Sequence, residues 1–341
     1  MKIKEALTYD DVLLVPQYSA IKSRRSVSIK TALPGPHARV VLDLPIIASP
    51  MDTISESEMG VAMWQEGGLA VIHRYNTIQE QSELIEDILF AGCNAAAAIG
   101  ATGDYLERTR ALYDAGARIL CVDVAHGHHI LMKEALHALR DVFGDAVHIM
   151  AGNVATLEGY NDLVDWGADS VRCNIGGGSI CSTRIQTGHG VPGLQTIMDC
   201  AASGRGAPII ADGGLRSAGD IVKALAAGAD FVMLGSLLAG TDETPGDIIN
   251  TRGGKFKSYR GMASKDAQMD WHGKTASLEG IATTVPYRGP VDDVLDDLAR
   301  GIRSGLSYSG ARNIRELQAK ARFIKQTTSG QLESATHILK R

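Results

Sequence analysis

The feature that most constrains the fold is a unit that recurs eight times, a short apolar run followed by a helical pattern. The runs are rich in β-branched residues or alanine, which predicts buried strands. They occupy residues 45–48, 69–72, 95–99, 118–122, 147–150, 170–173, 208–211 and 231–234. Helices end at Gly116, Gly167 and Gly228, where glycine can take a left-handed conformation. The pattern predicts an α/β fold, a single (β/α)8 (TIM) barrel with an N-terminal extension and C-terminal helices.

An open, doubly wound sheet is the alternative fold. It would need a Gly-x-Gly-x-x-Gly turn after the first strand, and the residues at 48–52, Ala-Ser-Pro-Met-Asp, do not provide one. No linker or low-complexity stretch divides the chain. We therefore expect one catalytic domain over residues 1–341.

Charge and cysteine usage narrow the class of partner. The 34 basic and 39 acidic residues give a formal net charge of −5 without a basic block, so nucleic acid and membrane surfaces are not expected partners. No apolar run reaches the length of a membrane span, and the polar N-terminal residues do not form a signal peptide, which predicts a cytoplasmic location. The five cysteines never form a Cys-x-x-Cys pair, which argues against a disulfide framework and a zinc site. A small molecule is the expected partner.

In such a barrel the loops after the strands carry function, and here they are polar and rich in glycine. Gly213-Gly214 follows the seventh strand and Gly235-Ser236 follows the eighth. Either pair alone is typical of a tight turn. Both together, at the rim where barrels bind phosphate on backbone N–H groups, predict a phosphorylated substrate.

The loop after the sixth strand presents Cys181 in a polar setting. Glycines before it allow close approach of a ligand, and Arg184 supplies positive charge that favours a thiolate. The loop can therefore present a nucleophilic cysteine, and the alternative is a surface loop with an inert thiol. The histidines at 126, 128 and 129 do not predict a metal site, because side chains so close along a turn do not converge on one ion.

Several ordered motifs resemble the inosine-monophosphate dehydrogenase and guanosine-monophosphate reductase family over nearly the whole chain. They lie at residues 9–16, 49–53, 151–154, 178–184, 211–214, 235–240 and 259–262. The resemblance implies a barrel, usually tetrameric, that binds a purine nucleoside monophosphate. It implies that Cys181 attacks the purine C2, that Thr183 assists the leaving or attacking group with Glu279 nearby, and that Asp212 holds the ribose.

The resemblance also implies three sets of binding residues. Substrate-binding residues would be Ser49, Met51, Asn153, Ser179, Asp212, Gly213, Gly214, Gly235, Ser236, Tyr259, Gly261, Met262, Ala263 and Gly280. Residues for the cofactor, taken as NADPH, would be Ser23, Arg24, Arg74, Asp123, Val124, Ala125, Ile175, Gly176, Ser304 and Ser307. A potassium ion would be bound at Gly176, Gly178, Cys181 and Arg184.

Three features resemble the reductases more than the dehydrogenases. Dehydrogenases of the family carry an Arg-Tyr pair in a mobile flap, and most carry a CBS insertion after the second barrel strand. Residues 263–278 contain no Arg-Tyr pair, and residues 71–77 run directly into a helix, so no CBS domain is expected. Residues 123–125, Asp-Val-Ala, also resemble the reductases.

The resemblance thus implies NADPH-dependent reductive deamination of GMP to IMP and ammonia through a covalent cysteine–purine thioimidate. Residues 49–52, 71–74 and 235–241 look more like dehydrogenases, which keeps IMP dehydrogenase open. Three residues depart from the pattern of both branches of the family. Asn174 and Gly177 stand where a glycine and often a proline or serine are usual, and Ser182 replaces a threonine. A relative acting on a modified or deoxy purine nucleotide and a non-catalytic binding protein are the remaining alternatives.

Overall fold

Eight parallel strands close into a barrel surrounded by helices, so the predicted (β/α)8 fold is confirmed. The computed structural model describes residues 3–35, 39–275 and 278–336. In chain order the strands are β1 (Val12–Leu14), β2 (Thr31–Leu33), β3 (Val40–Leu42), β4 (Ile46–Ala48), β5 (Leu69–Ile72), β6 (Ala96–Ile99), β7 (Ile119–Asp123), β8 (His148–Val154), β9 (Ser170–Cys173), β10 (Ile209–Asp212), β11 (Phe231–Leu234), β12 (Ile249–Thr251), β13 (Gly254–Arg260), β14 (Ala282–Pro286) and β15 (Phe323–Lys325). The helices are α1 (Ser57–Gln65), α2 (Ile78–Phe90), α3 (Tyr105–Asp114), α4 (Ile130–Phe143), α5 (Leu157–Asp165), α6 (Thr183–Thr187), α7 (Gly193–Ala201), α8 (Ala218–Ala226), α9 (Lys265–His272), α10 (Val291–Tyr308), α11 (Ile314–Lys320) and α12 (Thr328–Glu333).

The barrel consists of β4 to β11 in chain order and closes where β11 pairs with β4. In that closing pair Met233 lies opposite Ile47 and Leu234 lies opposite Ala48. Each barrel strand begins within one residue of its predicted start. β8 continues past the predicted end at Met150 to Val154, because this small, partly polar segment still pairs with its neighbours.

The barrel strands are buried on both faces, which explains why most of their residues are apolar. Ile47 packs in an inner cluster, whereas its neighbours Ile46 and Ala48 pack in an outer cluster with residues of the helices. Leu33 of β2 and Leu42 of β3 also belong to the inner cluster. Only three residues separate β3 from β4, so this antiparallel pair covers the amino-terminal end of the barrel and leaves the other end for the loops.

The predicted glycine ends of three helices are confirmed. Gly116, Gly167 and Gly228 follow the C-cap residues of α3, α5 and α8 and have φ values of +106°, +112° and +118°. A Cβ atom at Gly228 would lie 2.4 Å from the Cβ of Ala201. Backbone conformation and close packing therefore both favour glycine there.

After β11 the chain leaves the barrel and forms an antiparallel sheet of β12, β13 and β14. We define residues 261–281, which link β13 to β14 and include α9, as the flap; residues 276–277 lie outside the described residues. Arg260 at the end of β13 binds Asp52 of the loop after β4 at 2.6 Å and also pairs with Asp270 of α9. These ion pairs hold the flap against the barrel.

The N-terminal extension and the C-terminal helices pack on each other. β1 pairs with β15 in antiparallel register, with Val12 opposite Lys325. Helix α10 packs against α8, where Gly301 lies close to Ala218 and Gly305 lies close to Val222. Within the described ranges, no helix has the length and apolarity needed to cross a bilayer.

Candidate active site

The loops after the barrel strands and the flap enclose a cavity of about 340 Å³, which is within the range of small-molecule sites. It gathers most of the residues that the sequence assigns to catalysis and binding. They are Ser49, Met51, Arg74, Asp123, Val124, Ala125, Asn153, Ile175, Gly176, Gly178, Ser179, Cys181, Thr183, Asp212, Gly213, Gly214, Gly235, Ser236, Tyr259, Gly261, Met262, Ala263, Glu279 and Gly280. Their roles stay predictions, but one cavity brings them together.

Residues 174–182, which we name the Cys181 loop, connect β9 to α6. The flap pairs with this loop: Cys181 lies opposite Gly280 in an antiparallel bridge, and the backbone N–H of Ser182 donates to the carbonyl of Glu279 at 2.9 Å. The backbone N–H of Cys181 donates to the carbonyl of Gly178 at 3.1 Å. The flap therefore delivers Glu279 to the loop that holds the cysteine.

Two consecutive hydrogen bonds connect the thiol to a carboxylate. The Cys181 thiol donates to Thr183 Oγ1 at 3.2 Å, and the Thr183 hydroxyl donates to Glu279 Oε2 at 2.7 Å. Thr183 is buried, whereas Cys181 is half-buried and lines the cavity. Such a path can carry a proton away from the thiol or return one to a group bound beside it.

Asp212, the last residue of β10, begins a turn of residues 212–214 that we name the Asp212 turn. Its Oδ2 accepts hydrogen bonds from Asn153 Nδ2 at 2.7 Å and from Arg172 Nη2 at 2.8 Å. Gly213 and Gly214 have φ values of +77° and +76°, a conformation that favours glycine. Because these donors occupy Oδ2, a sugar hydroxyl would bind Oδ1.

Arg172 is a site residue that the sequence reasoning missed. It is 5% exposed, and its Nη1 donates to Asp123 Oδ1 at 2.5 Å, so it links the predicted cofactor and ribose carboxylates. Burial lowers the pKa of Arg172, but the carboxylates of Asp212 and Asp123 outweigh this effect, and the pKa lies well above its usual value. The sequence signal that could have identified Arg172 is a charged residue inside a predicted buried strand. A buried charge needs partners of opposite charge, which here are site carboxylates.

Arg172→Met is expected to lower the free energy of unfolding by about 3 kcal/mol, the usual cost of leaving a buried charge without its partner. Asp123 and Asp212 would then face each other without a cation. Urea denaturation measures the loss, and Arg172→Lys, which keeps the charge, should lose less. Equal stability of Arg172→Met and the unaltered protein would contradict this role.

Hydroxyl groups converge beside Gly235. Ser179 Oγ lies 3.5 Å from the Tyr259 hydroxyl, and a Cβ atom on Gly235 would lie 3.0 Å from that hydroxyl and 3.1 Å from Ser49 Oγ. Ser49 Oγ is buried and has no hydrogen-bond partner within the described part of the chain. Burial raises the pKa of Tyr259, so its hydroxyl stays a donor. This arrangement fits the predicted phosphate.

The predicted cofactor side of the cavity is lined by Arg74, Asp123, Val124, Ala125, Ile175 and Gly176. Arg74 Nη2 donates to the Asp123 carbonyl at 3.3 Å, and its Nε lies 3.8 Å from Asp123 Oδ2. That Nε is buried and makes no hydrogen bond to any residue that the structure describes. The Arg74 guanidinium lies 5.6 Å from the Tyr75 ring centre. A cavity wall with this unused donor fits a cofactor next to Cys181.

Other predicted cofactor residues, Ser23, Arg24, Ser304 and Ser307, do not line this cavity. Arg24 and Ser304 line a separate cleft between the N-terminal segment and α10. Ser23 Oγ accepts from the backbone N–H of Arg25 at 3.3 Å, and Ser307 Oγ donates to the Ser304 carbonyl at 2.9 Å. The assignment of these four residues to the cofactor stays a prediction.

No group of three or more His, Cys, Asp or Glu side chains in the described ranges is placed to hold a metal ion. The predicted potassium site concerns the Cys181 loop, where Arg184 already donates to the carbonyl of Ile175 at 3.1 Å. Gly176 has a φ of +77°, and a Cβ atom there would lie 2.5 Å from Arg184 Cγ, so backbone conformation and packing both favour glycine at 176. Potassium binding stays a prediction.

Comparisons with known proteins show which family the chain is similar to. A model of the IMP dehydrogenase / GMP reductase domain matches residues 6–337. An inosine-5'-monophosphate dehydrogenase from Nitrosopumilus maritimus is 36% identical, over 99% of this chain and 99% of the relative. A GMP reductase from Leishmania major is 33% identical, over 98% and 97%. A solved structure of a cysteine-to-alanine variant of GMP reductase from Trypanosoma brucei, in complex with guanosine 5'-monophosphate, has a TM-score of 0.92, with 31% identity and 98% of each chain covered.

The chain belongs to the IMP dehydrogenase / GMP reductase family. It is therefore an oxidoreductase of purine metabolism, as the sequence predicts. Family membership implies a nicotinamide cofactor, and the GMP-bound neighbour supports a purine nucleotide as substrate. Overall similarity does not separate the two reactions, because a dehydrogenase at 36% and a reductase at 33% are almost equally similar.

The absence of a CBS insertion between β5 and α2 also does not distinguish a reductase from a dehydrogenase. The link from β5 to α2 is five residues long, as predicted. The alignment with the dehydrogenase has 475 positions, and the alignment with the reductase has 481. This chain has 341 residues, so at least 134 positions of the first alignment and 140 of the second are residues of the relative that lie opposite a gap in this chain. Members of both branches are thus longer than this chain. The flap and residues 123–125 remain as arguments about the reaction.

Proposed function

We propose that this protein is a GMP reductase, which converts GMP to IMP and ammonia with NADPH through a covalent bond between Cys181 and the purine. One observation carries the proposal: the hydrogen-bonded path from Cys181 through Thr183 ends on the flap carboxylate of Glu279. Loss of an amine requires a proton donor beside the nucleophile, and this path supplies one.

The composition of the flap supports the same reaction. The sixteen residues between Met262 and Glu279 contain no Arg-Tyr pair, and α9 occupies eight of them. A dehydrogenase must hydrolyse the covalent intermediate and so needs a group that activates water. The flap of this chain does not contain the Arg-Tyr pair that would activate water in the dehydrogenases of the family.

In the first step of the proposed mechanism, the Cys181 sulfur forms a bond to C2 of GMP while its proton passes through Thr183 toward Glu279. The same path then returns a proton to the exocyclic nitrogen, the C2–N bond breaks and ammonia leaves. The product of this step is a thioimidate on Cys181. The proton relay thus serves attack and departure in turn.

The residues that would hold NADPH are those on the Asp123 side of the cavity, and the chemistry it supplies when bound is hydride donation to C2. After reduction of C2, the carbon–sulfur bond breaks and Cys181 leaves as a thiolate. The proton of the first step has left with ammonia, so water supplies a new proton to this thiolate along the path through Glu279 and Thr183. IMP is the released nucleotide.

Binding residues would orient the nucleotide for this attack. Asp212 Oδ1 would accept a sugar hydroxyl, and the hydroxyls of Ser49 and Tyr259 would donate to the phosphate. Flap residues Met262 and Gly280 line the wall beside Cys181 and would face the base. Positioning of this kind accounts for a large share of the rate of such reactions.

IMP dehydrogenase is the second candidate, because the Nitrosopumilus maritimus dehydrogenase is the more similar of the two relatives. A relative acting on a modified or deoxy purine nucleotide stays the third. The choice of NADPH, a homotetramer, potassium binding, a cytoplasmic location and a single catalytic domain over residues 1–341 stay predictions of the sequence.

A paired assay tests the proposal. Purified protein is expected to oxidise NADPH in the presence of GMP with release of ammonia, and to leave NAD unreduced with IMP. Assays with NADH and with deoxy-GMP in the same series test the cofactor and sugar predictions. Reduction of NAD with IMP, without activity on GMP, would reject the reductase.

A further inference from the structure

Asn174, the first residue of the Cys181 loop, has an unusual backbone for a residue with a side chain. Its φ is +147°, the positive range in which glycine is favoured, and its side chain is 4% exposed. A glycine would adopt this conformation without strain. The side chain therefore has to contribute contacts that offset the strain.

Those contacts join two loops of the site. Asn174 Nδ2 donates to the carbonyl of Asp212 at 2.9 Å and to the carbonyl of Gly213 at 3.3 Å. Its backbone carbonyl accepts from Asn153 Nδ2 at 3.0 Å. A single side chain at the base of the Cys181 loop thus holds the Asp212 turn.

The amide also explains Gly177. A Cβ atom on Gly177 would lie 2.1 Å from Asn174 Nδ2, and its three nearest neighbours are all atoms of the Asn174 side chain. The two loops are also in close contact at Gly214, where a Cβ atom would lie 2.9 Å from the Gly177 carbonyl. The residue after Gly177 accepts the backbone N–H of Cys181. Displacement of Gly177 would therefore displace the cysteine.

We propose that Asn174 is a positioning residue whose side-chain amide joins the Cys181 loop to the Asp212 turn, and that glycine at 177 is required so that this amide fits. The consequence is a nucleophile held in fixed register with the site for the sugar. The role of Cys181 as the nucleophile rests on the proposed function, whereas the coupling of the two loops does not.

A double-mutant cycle tests the coupling. Gly177→Ala alone is expected to lower kcat by about ten- to a hundredfold, the effect of a small misplacement of reacting groups, with a smaller change in KM. Asn174→Gly removes the clash, so Gly177→Ala should cost less than about twofold in that background. Additive losses in the double variant would overturn the proposal.

A second readout does not depend on turnover. Iodoacetamide should alkylate Cys181 more slowly in Gly177→Ala, because the path to Thr183 is disturbed, and Asn174→Gly should suppress that difference. The four other cysteines are buried and report unfolding if they react. If Gly177→Ala alone unfolds, recovery of the fold in the double variant supports the coupling, and continued unfolding overturns it.

Asn174→Asp separates hydrogen bonding from space filling. The substitution keeps the shape of the side chain but removes its two N–H donors, so kcat should fall. Asn161→Asp, a matched change on α5 outside the site, should leave kcat unaltered. Unchanged kcat and alkylation in Asn174→Asp would overturn the role of the amide. If alkylation shows the coupling but neither GMP nor IMP is converted, the positioning role stands and the proposed function fails.

Discussion

Replacement of Cys181 by alanine is expected to reduce turnover by about 10⁴-fold or more, the scale on which covalent enzymes lose activity without their nucleophile. Nucleotide binding should persist, because the groups predicted to hold sugar and phosphate, at Asp212, Ser49 and Tyr259, lie outside the Cys181 loop. Single-turnover kinetics and calorimetric titration with GMP measure the two quantities separately.

Cys93→Ala is the matched control for this change. Cys93 is 7% exposed and does not line the cavity, so its loss should leave kcat unaltered. A loss of GMP affinity in Cys181→Ala as large as the loss of turnover would assign the cysteine a structural role and contradict the covalent mechanism.

Glu279→Gln is expected to slow ammonia release by about a hundredfold, the size of the effect of one proton-transfer partner. Glutamine can still accept the hydrogen bond from Thr183, so the flap should keep its conformation. The glutamine side chain, however, cannot take up the proton that passes through Thr183 or return it to the leaving amine. Stopped-flow measurement of NADPH oxidation with GMP reports the loss.

A purine nucleotide with chloride in place of the C2 amine separates proton transfer from hydride transfer. Chloride leaves without protonation, so this substrate should be far less sensitive to Glu279→Gln. Glu86→Gln, a change of an exposed glutamate on α2, serves as the control. Equal losses with both substrates, or no loss with either, would remove Glu279 from the relay.

The barrel could be predicted from sequence because its strands are buried on both faces and are mostly apolar. The site could be located because functional residues follow the strands, as Cys181 follows β9 and Gly235 follows β11. Strand order within the barrel also follows from chain order, since successive parallel strands are neighbours.

Contacts between distant residues could not be predicted. Nothing local indicates that Arg172 bridges Asp123 and Asp212, or that the Asn174 amide reaches the carbonyl of Gly213. These partners depend on the strand order and on how far each side chain extends. The distance between Arg24 and Cys181 also could not be predicted, and Arg24 lies in a cleft apart from the cavity that Cys181 lines.

The most direct test of the central claim follows the atoms that reach C2. The protein is incubated with GMP and NADPH carrying deuterium at the transferable position, in water enriched in oxygen-18, and the product nucleotide is analysed by mass spectrometry. The reductase mechanism predicts IMP with one deuterium atom at C2, no oxygen-18, and one ammonia for each NADPH oxidised. IMP without deuterium, or a parallel incubation of IMP and NAD that yields xanthosine monophosphate with oxygen-18 at C2, would contradict it.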